Sequence, residues 1–366
     1  MITPRWRKDV PGGVREHADV PYAERLTELA RAKLDPAVHA YVSQGAAAGE
    51  TAAEAVEAWR RLRFLPRVLH DVTTVALATR LLGHEYTTPI GIAPTTLQNA
   101  AHPDGEAEMA RAAAAVGAPL VVTSNAGAAF AEVGATGATW WLQMYVTADR
   151  SLTEPVVEAA REAGASAVVL TADTPVVARK RRVGPDVRDA IDPGWLRVNF
   201  PGGDSTAAAD KAADLGPQDI AWLAQRFELP VVVKGVLHPE DARRCVQAGA
   251  RAVWVSNHGG RQLDRAVSSP QALPGVVEAV RGLEDDAEVY VDGGIRGGLD
   301  VLAALALGAD AAFVGRPAYY ALADDGAAGV ERLWQELDAE LEEALRLVGV
   351  GSTADLGPGL VLPQAL

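Results

Sequence analysis

Between Pro89 and Pro317 the chain repeats one pattern: a short apolar run, a turn with glycine or a polar residue, then a longer alanine-rich run with helical spacing. The apolar runs are Pro89 to Thr95, Pro119 to Asn125, Trp141 to Val146, Ala167 to Asp173, Pro230 to Val236, Ala252 to His258, Val289 to Ile295 and Ala311 to Pro317. Helical patterns between them include Gly105 to Val116, Thr153 to Ala163, Asp219 to Phe227, Pro239 to Ala248 and Leu299 to Leu307. Alternation of this kind predicts βα units around a parallel sheet. Eight strands with their crossovers close into a (β/α)8 TIM barrel, whereas doubly wound open sheets commonly stop at about five to seven strands. Residues 20–63 also read as helical and predict an N-terminal extension, and Glu331 to Leu347 predicts a C-terminal helix. The expected fold is α/β, a single domain over residues 1–366 with barrel strands across 89–317.

A hydrophobic content of 49% is ample for such a core. The net charge of −14 argues against nucleic acid or an anionic membrane surface as a general partner. An anionic ligand must then be held by a local cluster of Arg and Lys. Cys245 is the sole cysteine, which excludes an internal disulfide or a cysteine-rich metal site and suggests a buried structural thiol. No apolar run approaches the ~18 residues of a membrane span, and Met1 to Asp9 lacks the apolar stretch of a signal peptide, so a cytoplasmic protein is expected.

One interval breaks the rhythm. More than fifty residues separate Asp173 from Pro230, and 176–218 reads as an active-site loop or lid at the barrel mouth. The Ala207 to Ala213 tract within it reads as unstructured chain.

Strand ends share one face of a barrel, so their polar residues can be read together. The seventh ends in Asp292-Gly293-Gly294-Ile295-Arg296 and the eighth in Val314-Gly315-Arg316-Pro317, two glycine turns each beside a guanidinium. That is a phosphate site. The sixth runs into Ser256-Asn257-His258-Gly259-Gly260-Arg261-Gln262-Leu263-Asp264, which sets a base three residues from a fixed cation. Asp173, ending the fourth, is placed to hold one imidazole nitrogen. Lys234 follows three valines on the fifth; a lysine buried there needs a partner, and a cofactor that becomes anionic would serve. Gln143 and Tyr145 alternate on the third and share a face, from which the tyrosine can bond a substrate oxygen.

These segments, with Ile92-Ala93-Pro94-Thr95, His102-Pro103-Asp104-Gly105-Glu106 and Leu170-Thr171-Ala172-Asp173-Thr174-Pro175, resemble the FMN-dependent α-hydroxy acid oxidase and dehydrogenase family from about Leu34 to Val350. The resemblance implies FMN in the barrel mouth, its phosphate on Gly294, Arg296, Gly315 and Arg316 and its ribityl chain on Asp292. Pro94, Thr95, Thr96, Thr123, Gln143, Thr171, Lys234 and Ser256 would surround the flavin ring, with Lys234 offsetting charge near N1. It further implies oxidation of an (S)-2-hydroxy acid to the 2-oxo acid. His258 would be the base and Asp173 its partner; Tyr41, Arg261 and Lys180 would hold the substrate carboxylate, and Tyr145 would contact the substrate oxygen. His258 takes either the hydroxyl proton, with hydride transfer, or the α-proton. Reoxidation by O2 or another acceptor and a homotetramer complete what the family implies, while the lid, which lacks an apolar insertion, predicts no membrane attachment.

The chain departs from the family in several places, among them a shorter lid and Val187-Arg188-Asp189-Ala190 in place of an Arg-Asn consensus. Lys180 stands where an arginine is expected, keeping the charge without bidentate geometry. Thr96 replaces a small residue near flavin N5, which leaves oxidase against dehydrogenase open, and Asn125 replaces a bulkier pocket residue. The substrate side chain is therefore expected to be large, as in an aromatic, mandelate-like acid, or polar; the alternative is a specialised-metabolism or peptide-derived substrate.

Overall fold

The computed structural model describes residues 20–181, 185–200, 210–283 and 286–362. Among the described residues there are ten strands, β1 (Thr79–Leu81), β2 (His84–Tyr86), β3 (Ile90–Ile92), β4 (Leu120–Thr123), β5 (Trp140–Met144), β6 (Val168–Thr171), β7 (Val231–Val236), β8 (Ala252–Val255), β9 (Glu288–Val291) and β10 (Ala311–Val314). The helices are α1 (Tyr22–Lys33), α2 (Pro36–Ser43), α3 (Glu50–Arg60), α4 (Gly105–Val116), α5 (Phe130–Gly134), α6 (Glu154–Glu162), α7 (Pro217–Phe227), α8 (Pro239–Gln247), α9 (Ser269–Arg281), α10 (Gly298–Ala306) and α11 (Arg316–Val348). Strands β3 to β10 pair in parallel and close on one another, β10 beside β3. This is the expected (β/α)8 barrel, each of its strands lying within or against a run read from the sequence.

Strand alternation divides the core in two. Inward residues such as Val121, Trp141, Val169, Val232, Trp254, Tyr290 and Phe313 fill the barrel, while their neighbours meet the helices outside. Four large aromatic rings crowd the interior, with the Trp254 and Phe313 centroids 4.0 Å apart. Gly91 pairs with Phe313 and makes room for it: a Cβ at Gly91 would lie 2.3 Å from the ring. The β1–β2 hairpin, which periodicity did not reveal, adds Leu81 and Tyr86 to this interior layer. Its turn is Leu82-Gly83, both at positive φ, as a tight hairpin demands.

The helical extension spans α1 to α3. Helix α1 packs along α11, where Tyr22 Oη donates to Asp324. The expected C-terminal helix is longer than read: α11 begins at Arg316, directly after β10, and runs to Val348 across a break at Asp325 and Gly326. Helix α3 lies over the turns after β8 and β9. Asp264 accepts hydrogen bonds from the N–H groups of Ala48, Gly49 and Thr51 at its N-terminus, which hold the carboxyl below the usual range. Trp59 Nε1 donates to the Gly293 carbonyl at 2.7 Å. A Cβ on Gly294, whose φ is +93°, would strike the Ala55 carbonyl at 2.2 Å, so that glycine is required by helix packing as well as by its turn. Cys245, on α8, is half-buried, and burial pushes its thiol up to about 11.

Candidate active site

The C-terminal ends of the strands surround a cavity of about 400 Å³, within the range of small-molecule sites. Its wall includes Tyr41, Pro94, Thr95, Thr96, Thr123, Gln143, Tyr145, Thr171, Lys180, Lys234, His258, Arg261, Asp292, Gly294, Arg296, Gly315 and Arg316. Of the residues singled out from sequence, only Asp173 and Ser256 stand behind that wall, and each is bonded to a residue in it.

His258 Nδ1 lies 2.9 and 3.1 Å from the two oxygens of Asp173. An ionised carboxylate only accepts, so Nδ1 carries the proton and the Nε2 lone pair is left for the cavity. Burial opposes the charge on Asp173, yet His258, Lys234 and the Thr174 hydroxyl together hold its carboxyl below the usual range. The imidazole is aimed by its backbone. His258, Gly259 and Gly260 all have positive φ, 58°, 62° and 72°, and the histidine in that region stores strain of about 1–3 kcal/mol. Ser256 Oγ accepts from the His258 N–H at 3.0 Å and helps hold the turn.

Ser256 also corrects the expected surroundings of Lys234. The lysine Nζ donates to Ser256 Oγ at 2.7 Å and pairs with Asp292 at 2.9 Å, and Ser256 in turn donates to Asp292 at 2.6 Å. The partner that burial demands is thus supplied within the protein. Ser256 is fully buried beneath the cavity as the link of this triad, not a lining residue.

Arg296 and Arg316 converge at the other end, with Arg261 on the neighbouring Tyr41 wall. Among the described residues none of them forms a salt bridge; Arg316 donates to the carbonyls of Val42 and Gly259, Arg296 to that of Ile295. Burial, with Arg261 and Arg296 close by, lowers the Arg316 pKa to about 10, and burial lowers that of Arg296. Clustered guanidiniums with no counter-ion are a donor set for an anion. Gly315 adds space: a Cβ there would meet nothing nearer than Ala93 at 3.8 Å. The residues present therefore fit the phosphate of FMN.

Tyr41 forms a second wall, its ring under the Lys180 ammonium at 4.7 Å and the Arg261 guanidinium at 4.9 Å. Arg261 Nη1 donates to the carbonyls of Tyr41, Val42 and Gln44, which fixes its direction. Lys180 is held by a bridge between its backbone and Ala47. Tyr145 faces this group; burial first, then the Asp173 charge, raises its phenol pKa far above the usual value.

Parts of the expected lid, 182–184 and 201–209, lie outside the described residues. Its described parts supply Val177, Lys180, Leu196, Phe200 and Lys211 to the cavity. Asn125 Nδ2 donates to the Leu196 carbonyl at 3.0 Å, and Asn199 binds the backbone at Ala128 and Phe130. The unstructured reading of Ala207 to Ala213 fails from residue 210 on. Lys211 bridges to Thr147, Ala212 is buried, and the Lys211 ammonium lies 3.4 Å from the centre of the Tyr145 ring. A lone cation in an alanine tract was the signal available.

Comparison with known proteins agrees with this geometry. The sequence is 40% identical over 343 residues to glycolate oxidase of Spinacia oleracea, covering 90% of this chain and 92% of the relative. It is 39% identical over 347 residues to a peroxisomal (S)-2-hydroxyacid oxidase of Arabidopsis thaliana, covering 91% and 94%. Solved structures of similar fold include a mandelate oxidase variant with (S)-mandelic acid, at TM-score 0.84 and 35% identity over 94% of this chain and 99% of the other. Mandelate oxidase with (S)-4-hydroxymandelic acid gives 0.83 and 35% over 91% and 96%. Residues 30–363 match the FMN-dependent dehydrogenase family, to which this chain belongs, and its cofactor is FMN.

Proposed function

We propose that the chain oxidises an (S)-2-hydroxy acid to the 2-oxo acid, with His258 as the base. The carrying observation is the His258–Asp173 pair opening onto a cavity that also holds Arg261 and, at its far end, an uncompensated guanidinium cluster. Arg296, Arg316 and the turns at Gly294 and Gly315 would hold the FMN phosphate, and Lys234 with Asp292 would lie against the rest of the cofactor. When bound, FMN supplies the acceptor for two electrons.

The protein's own groups bind, orient and move the proton. Arg261, fixed by three carbonyls, and Lys180 hold the substrate carboxylate beside Tyr41. Tyr145, kept protonated by burial, donates to the substrate oxygen. His258 Nε2 accepts the proton, from the hydroxyl in a hydride route or from Cα in a carbanion route, and Asp173 stabilises the imidazolium that results. Val177, Leu196 and Phe200, from the described parts of the loop, add an apolar wall to this cavity. The oxidase names of the relatives support dioxygen as the final acceptor. A homotetramer is inferred from the family resemblance.

Anaerobic mixing with glycolate, (S)-lactate, (S)-2-hydroxybutyrate and (S)-mandelate tests this reading. At least one of them should bleach the flavin absorbance, and failure of all 2-hydroxy acids to do so rejects it.

A further inference from the structure

Among the described residues, six cationic side chains line the cavity, Lys180, Lys211, Lys234, Arg261, Arg296 and Arg316, against one lining carboxylate, Asp292. Asp292 is occupied by Lys234. Arg296 and Arg316 stand at the phosphate end, and Arg261 and Lys180 share the Tyr41 wall. One cation is left over. Lys211 stands apart on the opposite aromatic wall, over Tyr145, with no hydrogen bond or ion pair to its ammonium among the described residues.

Its position is built into the backbone. Lys211 bridges to Thr147, the Ala148 N–H donates to the Asp210 carbonyl at 2.8 Å, and the Ala212 N–H donates to the Val146 carbonyl at 2.8 Å. Arg150 clamps the following segment through Asp214 and Asp219. Burial pushes the ammonium down to about 8, with the Asp173 charge partly opposing it, so a partner that restored its charge would be favoured. The cavity it enters is lined by polar Thr96, Asn125 and Thr147 as well as by apolar Val177, Leu196 and Phe200. A short carbon chain ending in an acidic group suits both.

Resting on the function proposed above, we propose that Lys211 is a specificity-determining residue whose ammonium binds a second carboxylate on the substrate side chain, making 2-hydroxy dicarboxylates the preferred substrate class. The C1 carboxylate lies on the Tyr41 wall with Arg261 and Lys180, and the second lies on the Tyr145 wall with Lys211. Tyr145 between them keeps its hydroxyl for the C2 oxygen.

The test uses the FMN-loaded enzyme and Lys211→Met, with (S)-malate and (S)-2-hydroxyglutarate set against (S)-2-hydroxybutyrate and (S)-2-hydroxyvalerate. A charge-assisted contact predicts that the wild type favours the dicarboxylates in kcat/KM by about 10-fold or more, and that the variant loses about 10- to 100-fold on them while staying within about threefold on the monocarboxylates. No dicarboxylate preference in the wild type, or equal losses on both series, overturns the proposal; equal losses would mean that Lys211 acts through Tyr145 or the C1 carboxylate. Titration of the flavin spectrum with succinate and glutarate against butyrate and valerate reads the same subsite without turnover. Tighter binding of the diacids that Lys211→Met abolishes supports the subsite even if no 2-hydroxy acid is oxidised, and equal binding of both series overturns it.

Discussion

The two halves of the cavity wall are made differently. At the strand ends after β6, β7, β8 and β9, the base and the buried lysine are tied into a side-chain network: His258 to Asp173, Lys234 to Asp292 and Ser256, and Ser256 to the His258 backbone. In the described parts of the segment between β6 and α7, backbone bridges place Lys180 and Lys211, whose ammonium groups lie over aromatic rings. The interlocked half suits proton transfer, which tolerates little misplacement. The looser half suits recognition, where replacing one residue changes the ligand without disturbing the chemistry.

That contrast predicts large kinetic effects in the first half and selective ones in the second. His258→Ala should retain FMN yet slow anaerobic flavin bleaching by about 10³-fold or more, and unimpaired bleaching would remove His258 from the base role. Asp173→Asn lets Nδ1 lose its anionic acceptor and should slow the same step by about 10²- to 10³-fold, with FMN content unchanged. Arg316→Leu should weaken FMN binding by about 10- to 100-fold, read by fluorescence titration of the apoprotein, because it removes a buried counter-charge to phosphate. A smaller effect belongs to the loop half. Lys211, with Tyr145 and Asp173 around it, is charged below about 8 and neutral above. KM for a 2-hydroxy dicarboxylate should therefore rise as pH passes upward through that value in the wild type and stay flat in Lys211→Met.

Smallest of all, Asp264→Ala should lower the melting temperature modestly and leave the chemical step intact, since Asp264 caps α3 and touches no cavity residue among its hydrogen-bond partners. A large loss of bleaching rate in that variant would show that the α3 contact, and not the barrel alone, aims the His258 turn.

Much of the interlocked half was legible in the sequence. A strand end is announced by a run of apolar residues and a glycine, and the barrel sends all such ends to one face, so His258, Asp173, Lys234, Asp292 and the two arginine turns could be gathered before any coordinates. Their pairings were less legible. Lys234 reads as a lysine awaiting a ligand because the sequence separates it by 58 positions from Asp292, which satisfies it. The loop half was mostly hidden: Lys211 sits in an alanine-rich tract with no periodicity, and nothing local marks its return to Thr147.

The number and order of βα units, the phosphate turns and the base with its fixed cation follow from the chain alone, because each is written in hydrophobic spacing and turn chemistry within a few residues. The place of the β1–β2 hairpin in the interior layer, the Gly91–Phe313 fit, the buried Ser256 link and the placing of Lys211 over Tyr145 were decided by tertiary structure. Each depends on which distant backbones approach closely enough to exclude water, and short-range pattern carries no such information.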